Sequence, residues 1–286
     1  MSDEPEPRQP GRSRRGSSQS RRSTSRGFVR NKRDCYWIDR RKKLASLLPN
    51  EMILTQLSET LERHFGSPTA KRSLLDLGAG TRPYAPLYEQ YFAETVSVDV
   101  PYSPHDISHI DVTASADSLP FESETFDFVL CTEVLEHCRE PGTVVAEIAR
   151  VLKPGGYAFV TTPFMVGLHE IPHDYFRFTR FGLQTIAEHA DLTVEAIWPK
   201  GGYGALVLLS AQYPLTKVVQ LAQSKTGLPL YHPANPLLFG LVVLPQLGYV
   251  WRWRKLAEDR KQMLEGIPER LSRMTLGYMI LLTKRP

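Results

Sequence analysis

The sequence lacks the marks of a secreted protein and of a disulfide-stabilised one. Its amino terminus has no apolar segment of the kind that directs export. Its three cysteines, Cys35, Cys131 and Cys138, form no CxxC pair, and an odd number of cysteines without an export signal is typical of a reducing compartment. We therefore expect a cytoplasmic protein whose cysteines are ordinary thiols.

Apolar residues are scarce over the first 30 positions, and positive charge is concentrated there. Ten arginine and lysine residues fall within positions 8–33, although the formal net charge of the whole chain is only +4. A segment so poor in apolar residues cannot offset the entropy lost on ordering, so residues 1–30 are predicted to be a disordered basic tail. Such a tail serves solubility or is attracted to anionic lipid headgroups. Nucleic-acid binding is disfavoured because no aromatic residue precedes Phe28.

The clearest pattern is the run SLLDLGAG at residues 73–80, an apolar strand that contains Asp76 and ends in a glycine-rich turn. Glycines let a ligand lie close to the backbone of such a turn. A second apolar run, VSVDV at residues 96–100, ends near Asp99, 23 residues after Asp76. A turn, a helix and a strand require about this separation, and a carboxylate at the end of the second strand can hold ribose hydroxyls. The two runs predict a nucleotide-binding edge of a parallel sheet.

Two families of nucleotide-binding protein share this arrangement. Dinucleotide-binding folds use a GxGxxG turn, but here Pro83 stands where the third glycine would be. The run LLDLGAGTRPYAPL at residues 74–87 instead resembles the first motif of class I S-adenosylmethionine-dependent methyltransferases. Two further runs resemble later motifs of the same class, namely LPFESETFDFVLC at residues 119–131 and EIARVLKPGGYAFV at residues 147–160. The resemblance extends over about residues 73–200.

Strands and helices alternate from residue 73 onward, which favours a parallel sheet covered by helices on both faces. With the resemblance, this predicts an α/β fold: a doubly wound, mostly parallel, seven-stranded Rossmann-like sheet with a helical apolar insertion before the last strand. A Pro-Gly-Gly turn is expected ahead of the fifth strand. The predicted segments are the basic tail at residues 1–30, a helical segment at 31–72, the core at 73–200, the insertion at 201–275 and the final strand at 276–286.

The resemblance implies S-adenosylmethionine as the cofactor and suggests which residues hold its methionine end and its ribose. The methionine end is expected to contact Asp76 and the glycine turn. That turn consists of Gly78, Ala79 and Gly80. The ribose is expected to contact Asp99.

The adenine contacts are less regular than those of the related enzymes. Relatives commonly place an acid at the position that Ser115 occupies here, so the predicted adenine site consists of Ser115, Ala116 and Asp117. Thr132 and Glu133 complete the predicted cofactor site because they end a strand at the edge where open α/β sheets bind ligands.

The loop after the fifth strand, residues 163–179, is rich in polar side chains and should face the cofactor. It contains HEIPH at residues 169–173, a literal match to the zinc-protease pattern HExxH. That pattern needs both histidines on one face of a helix, and Pro172 opposes such a helix. We therefore predict no metal site.

The same loop supplies the predicted catalytic residues, His169, His173 and Asp174. If the methyl acceptor is a hydroxyl, a histidine poised near neutral pH can take its proton, and Asp174 would orient the imidazole. The predicted substrate contacts are Tyr175, Arg177 and His137.

Two structural alternatives stay open for these polar residues. Asp174 and Arg177 could form an ion pair that only shapes the loop, while His173 caps the next helix. Glu136 and His137 could equally be the solvated start of a helix.

The last 86 residues depart from a minimal domain. Residues 201–216 and 226–251 contain no lysine, arginine, aspartate or glutamate. Four prolines interrupt the second run, so neither run is a clean membrane-spanning helix. With the run WRWRK at residues 251–255, they suggest a segment that lies in a membrane interface. An apolar cap over the substrate pocket or a dimer interface explains the pattern equally well, and the oligomeric state is not predicted.

With the family resemblance, these patterns predict an enzyme that transfers a methyl group from S-adenosylmethionine to a hydroxyl of a hydrophobic or membrane-associated acceptor. A quinone, a polyprenyl-linked glycan or a lipid-like natural product would fit, and the protein would associate peripherally with the inner face of the membrane. Methyl transfer to a soluble small metabolite is an alternative. A membrane-associated binding protein with a degenerate cofactor site is another, since Ser115 replaces the usual acid.

Overall fold

The computed structural model describes residues 47–66, 71–211, 221, 244–246, 248–249, 251–252 and 274–286. The predicted basic tail lies outside these ranges, as do residues 31–46 of the predicted helical segment and most of the predicted insertion.

Helices flank a central sheet. They are α1 (Leu47–Phe65), α2 (Ala85–Tyr88), α3 (Pro141–Val151) and α4 (Arg180–His189). A short 3-10 turn, Leu135–His137, precedes α3, and residues 203–211 of the predicted insertion are helical as well. Within the described ranges, no helix combines the length and the apolar character needed to cross a membrane.

The sheet confirms the predicted architecture. Its strands are β1 (Ser73–Leu77), β2 (Glu94–Asp99), β3 (Val112–Thr113), β4 (Phe126–Thr132), β5 (Leu152–Pro163), β6 (Leu192–Pro199) and β7 (Gly277–Lys284). Their order is β3-β2-β1-β4-β5-β7-β6. The strands from β3 to β5 run parallel, whereas β7 is antiparallel to both β5 and β6. The chain order changes direction between β1 and β4, which is where open α/β sheets bind ligands.

Apolar residues that alternate along the strands cover both faces of the sheet. On one face, Leu75 and Val129 pack in a buried cluster that includes residues of α3 and α4. On the other face, Leu74 and Phe128 pack with residues of α1 and α2. The apolar stripe of α1 lies in this second cluster and consists of Ile53, Leu57, Leu61 and Phe65. With both faces covered, the carboxyl ends of the strands are left for a ligand.

The predicted Pro-Gly-Gly turn lies within the first half of β5 and does not precede the strand. The strand begins with Leu152 opposite Phe126, and pairing resumes with Tyr157 opposite Phe128. The residues between form a bulge in which Gly155 has a φ of 75°.

Candidate active site

A cavity of about 1830 Å³ opens at the carboxyl ends of β1, β2 and β4. The turn after β1 and the loop after β5 both line it. Leu206 and Leu209, which belong to the predicted insertion, line it as well. One space therefore joins the predicted cofactor edge, the predicted catalytic loop and part of the insertion.

The glycine turn after β1 is held against β2 by its backbone. The N–H groups of Gly78 and Ala79 both donate to the Val98 carbonyl, at 2.8 and 3.0 Å. The N–H of Gly80 donates to a carboxylate oxygen of Asp99 at 2.7 Å. Gly78 has a φ of 67°, and a Cβ there would overlap the side chain of Val134. Glycine is required at this position, and its small size brings the backbone of the turn to the cavity surface.

Asp99 ends β2 on the cavity wall. Its Oδ2 accepts from Gly80 and its Oδ1 accepts from the Val100 N–H, each at 2.7 Å. These bonds fix the carboxylate, and each oxygen can accept one further hydrogen bond. An anchored carboxylate with two remaining acceptor positions suits the paired hydroxyls of a ribose.

Asp76 lies beneath the cavity wall. The sequence had predicted that it contacts the methionine end of S-adenosylmethionine. The side chain is buried, and its Oδ2 accepts from the Tyr88 hydroxyl at 2.9 Å. Burial raises the pKa of Asp76 to about 7. The residue supports the turn from below and does not line the cavity.

The predicted adenine residues, Ser115, Ala116 and Asp117, all line the cavity. The Ser118 N–H donates to the Ser115 carbonyl at 3.1 Å and closes a turn there. The glycine cradle, the anchored Asp99 and this turn form a set of donors and acceptors that fits S-adenosylmethionine.

Thr132 and Glu133 also line the cavity, but Glu133 already has partners. Lys200 Nζ lies 2.6 and 2.7 Å from its two carboxylate oxygens, and the Thr161 hydroxyl donates to Oε1 at 2.6 Å. Lys200 is only 1% exposed and packs against Gly277, where any Cβ would overlap it. The first role of Glu133 is therefore to pair with a buried lysine.

Three predicted histidines meet at the cavity: His137 from the 3-10 turn, and His169 and His173 from the loop after β5. The rings of His137 and His169 are 4.9 Å apart. His137 Nδ1 lies 2.7 Å from the His173 carbonyl, which can only accept, so this nitrogen carries the proton. His173 Nδ1 lies 3.2 Å from the hydroxyl of Tyr175, a predicted substrate contact that also lines the cavity.

The HExxH match does not have the geometry of a zinc protease. Residues 169–179 are not helical, so His169 and His173 do not share a helix face. The suggestion that His173 caps the next helix is wrong as well. Thr179 caps α4, because its hydroxyl accepts from the Gly182 N–H at 3.1 Å.

Asp174 and Arg177 form a bidentate ion pair, and neither is among the residues that line the cavity. The guanidinium donates to the two carboxylate oxygens at 2.6 and 2.7 Å. It also donates to the carbonyls of Val166 and Gly167, while Asp174 accepts from the His169 N–H at 2.9 Å. The hydrogen bonds from Arg177 hold the pKa of Asp174 well below its usual range. The pair holds the loop in shape and positions the backbone of His169.

Glu136 is not the solvated helix start that the sequence left open. It is 0% exposed, and neither carboxylate oxygen has a hydrogen-bond partner in the described part of the chain. Burial and the nearby charge of Glu133 raise the pKa of Glu136 well above its usual range. Its neighbour His137, a predicted substrate contact, lines the cavity.

Sequence reasoning missed three further residues of the site. Lys200 had a usable signal, since it stands alone between β6 and a long run without charge. His105 and Glu170, whose side chains meet at 3.2 Å, come from two loops that no spacing pattern links.

Comparison with known proteins agrees with this geometry. A family model described as a methyltransferase domain matches residues 75–160. The biotin biosynthesis bifunctional protein BioHC of Cellvibrio japonicus is 31% identical over 96 residues, which are 31% of this chain and 19% of that protein. The ubiquinone biosynthesis O-methyltransferase of Yersinia pestis is 28% identical over 103 residues, which are 32% of this chain and 43% of that enzyme. The match thus spans less than half the length of either relative.

Solved structures include a putative sarcosine dimethylglycine methyltransferase from Galdieria sulphuraria, with a TM-score of 0.49 and 15% identity over 80% of this chain and 84% of that one. The assignment itself depends on the matched family model, the strand order and the glycine turn after β1. Residues 75–160 therefore carry a methyltransferase domain with the class I fold.

Proposed function

We propose that the protein transfers the methyl group of S-adenosylmethionine to a hydroxyl oxygen of an apolar acceptor. One observation carries the proposal: a single cavity is lined by the glycine turn and Asp99 and also by His137, His169 and His173. S-adenosylmethionine, when bound, supplies a methyl group activated by a sulfonium. The protein has to add alignment, exclusion of water and removal of the hydroxyl proton.

The cofactor half of the cavity would bind through the glycine turn, Asp99 and the turn at residues 115–117. Asp99 would accept hydrogen bonds from the ribose, and Asp76 would support the turn without touching the cofactor. Glu133, held by Lys200, would define the boundary between the cofactor and the acceptor.

His173 is the better of the two predicted bases. Both ring nitrogens of His169 face other protein groups: Nε2 lies 3.9 Å from Glu136, and Nδ1 lies 3.2 Å from the Gly167 carbonyl. Of the two ring nitrogens of His173, Nδ1 alone contacts a polar group of the described residues, the Tyr175 hydroxyl. With the proton on Nδ1, the Nε2 atom of His173 can take the proton of the acceptor hydroxyl.

Apolar side chains line part of the acceptor half of the cavity, which supports an acceptor with a hydrophobic portion. The loop after β5 exposes Leu168 and Ile171, at 75% and 72%. Leu206 and Leu209 lie on the same cavity and support a role of the insertion as a cap over the acceptor. The relative that is named as an O-methyltransferase of ubiquinone biosynthesis supports an oxygen acceptor.

Methyl-labelled S-adenosylmethionine, incubated with the purified full-length chain and a lipid extract of the host, tests the proposal. We expect label in the organic-soluble fraction, with His173→Gln lowering kcat by about 100-fold or more and leaving KM nearly unchanged. Label that appears only in water-soluble products would instead indicate a soluble acceptor. A protein that binds the cofactor and transfers no label to either fraction would be a binding protein.

A further inference from the structure

Glu136 is a buried acid whose carboxylate has no hydrogen-bond partner in the part of the chain that the structure describes. Its Oε1 lies 3.7 Å from His137 Nε2 and 3.9 Å from His169 Nε2, and neither of its oxygens accepts a hydrogen bond within the described residues. Buried polar groups are nearly always hydrogen-bonded because desolvation is costly. A positively charged group between the three side chains would give this carboxylate a partner.

Nearby lysine and arginine side chains do not supply that charge. Four carboxylates and two permanent cations surround the two histidines: Glu133, Glu136, Glu170 and Asp174, with Lys200 and Arg177. Each cation is already paired, Lys200 with Glu133 and Arg177 with Asp174. Glu136 and Glu170 are left without a lysine or arginine partner among the described residues, and a cation bound by Glu136 would supply the missing partner.

His137 is oriented as a metal ligand. Its Nδ1–H donates to the His173 carbonyl at 2.7 Å, so its Nε2 carries the lone pair. A histidine that binds a metal almost always donates its other ring N–H to a carbonyl or carboxylate in this way.

His169 is oriented in the same way. Its Nδ1 lies 3.2 Å from the Gly167 carbonyl and 3.4 Å from Asp174 Oδ2. Arg177 Nη2 is also 3.4 Å away, but its N–H groups donate to that same carbonyl and to Asp174, at 3.1 and 2.7 Å. The Nδ1 of His169 therefore faces two acceptors as an N–H, and its Nε2 carries the lone pair toward Glu136.

We propose that Glu136, His137 and His169 bind one zinc ion at the acceptor end of the cavity. Their ligand atoms all lie within 4.8 Å of one another. Zinc bonds of about 2.1 Å place tetrahedral ligands about 3.4 Å apart, so side-chain shifts of roughly 1 Å or less close the site. Two histidines and one glutamate leave the fourth position open, as in catalytic zinc sites. This set of ligands includes His169 but not His173, so it differs from the pair of histidines in the HExxH pattern. The proposal replaces the prediction of no metal site.

The role of this ion rests on the proposed function. Because His137 and His169 both line the cavity, they would hold the ion where an acceptor hydroxyl can reach it. The ion would polarise that hydroxyl as a Lewis acid, and His173 would take its proton. That oxygen then forms a bond to the methyl carbon as the carbon–sulfur bond breaks, and the cofactor leaves as the neutral thioether. The preferred acceptors are thus hydroxyl compounds whose oxyanion a Lewis acid can stabilise.

Zinc alone is the probe that tests the site. The untagged full-length chain is stripped with a chelator and titrated with Zn²⁺ by calorimetry, and with Co²⁺ by visible absorption. We expect one zinc per chain in the wild type and in His173→Gln, the matched control from the same loop. Glu136→Gln and His169→Gln should each bind at least about 100-fold more weakly, since even the loss of a group that orients a ligand costs 10- to 100-fold.

The outcomes separate the competing explanations. A wild type that binds no zinc overturns the proposal. A His173→Gln variant that loses zinc binding overturns it as well, and would indicate that His169 and His173 bind the metal as the HExxH pattern requires. If Glu136→Gln fails to fold in a thermal-unfolding control, His169→Gln decides, because His169 lies on a partly exposed loop. The titration contains no cofactor and no acceptor, so a negative result leaves methyl transfer standing. A chain that binds zinc and transfers no methyl group fails only the proposed function.

Discussion

Lys200 Nζ lies 2.6 and 2.7 Å from the two carboxylate oxygens of Glu133, which joins the end of β6 to the end of β4 across the sheet. The pair is unevenly buried: the Lys200 side chain is 1% exposed and that of Glu133 is 36% exposed on the cavity side. Removing the acid leaves a charge in the interior, whereas removing the lysine leaves a charge that water can reach.

Glu133→Gln should therefore destabilise the fold more than Lys200→Met does. We expect about 3–5 kcal/mol for the loss of the acid, the usual cost of an uncompensated buried charge, and about 1–2 kcal/mol for the loss of the lysine. Urea denaturation of both variants and of the double variant measures this. The double variant should recover part of the loss, and equal costs for the two single variants would contradict the uneven burial.

Asp76 predicts a pH dependence that is opposite to that of most carboxylates. Its pKa is about 7 in the folded chain, against the ordinary value of 3.8 for an unfolded one, so between these values the folded chain holds a proton that the unfolded chain has lost. The contribution of Asp76 to the free energy of unfolding thus falls as the pH rises from about 4 to 7, and is level above that.

Asp76→Asn removes this titration and keeps an oxygen that can accept from Tyr88. We expect the variant to match the wild type near pH 4 and to be more stable by about 1–3 kcal/mol at pH 8. Denaturant unfolding of both proteins across this range gives the difference directly. A difference that does not change with pH would show that Asp76 is ionised in the folded chain.

The ion pair of Asp174 and Arg177 should determine the shape of the loop after β5. Arg177→Met leaves a buried carboxylate unpaired, and we expect a loss of about 3–5 kcal/mol. Arg177→Lys keeps the positive charge but cannot form the bidentate hydrogen bonds, so it should recover only part of the lost stability. Because Arg177 lowers the pKa of Asp174, the stabilisation is present at neutral pH and is lost as the pH falls below about 4.

Hydrogen exchange of residues 165–177 checks this directly. Faster exchange confined to that loop in Arg177→Met, with the sheet still protected, is the expected pattern. An Arg177→Lys variant that exchanges like the wild type would show that charge alone holds the loop.

The sheet and the cofactor turn could be predicted because local patterns specify them. Leu74, Leu75 and Leu77 form an apolar run that suits a strand buried on both faces, and the glycines after it suit a turn that approaches a ligand. Asp99 could be assigned to the end of the second strand because the turn, helix and strand that separate it from Asp76 have a nearly constant combined length. The same patterns say nothing about which polar side chains meet.

The polar contacts could not be predicted because they join distant segments. Lys200 and Glu133 are 67 residues apart and meet only because β4 and β6 end at the same edge. Glu136 is buried because the loop after β5 folds over it, with the N–H groups of Tyr175 and Phe176 donating to its backbone carbonyl at 2.8 and 3.3 Å. In the sequence, Glu136 stands beside His137 in a polar pair that equally fits a helix start.

The predicted membrane association can be tested through two separate contributions. An apolar insertion that lies in the interface and a basic tail that attracts anionic headgroups should together hold the protein more firmly than either alone. We expect the full-length chain to float with anionic liposomes. Deletion of residues 1–30 should make binding weaker and less sensitive to salt, because the electrostatic attraction falls off within about 10 Å at 0.1 M salt.

Replacing residues 212–243 with a short linker should abolish flotation if the insertion supplies the apolar contact. Liposomes without anionic lipid serve as the control for the tail. A full-length chain that ignores anionic liposomes at low salt would make the insertion a pocket cap only.

Cofactor binding at Asp99 is the central claim, and calorimetric titration with S-adenosylmethionine tests it most directly. The wild type should bind one cofactor per chain. Asp99→Ala should lose about 1–3 kcal/mol, roughly 5- to 150-fold in Kd, because the ribose hydroxyls lose their acceptors. Asp106→Ala, which removes an exposed acid from the same cavity, should bind like the wild type. Asp99→Ala binding as tightly as the wild type, with its thermal unfolding unchanged, would contradict the assignment of this cavity to S-adenosylmethionine.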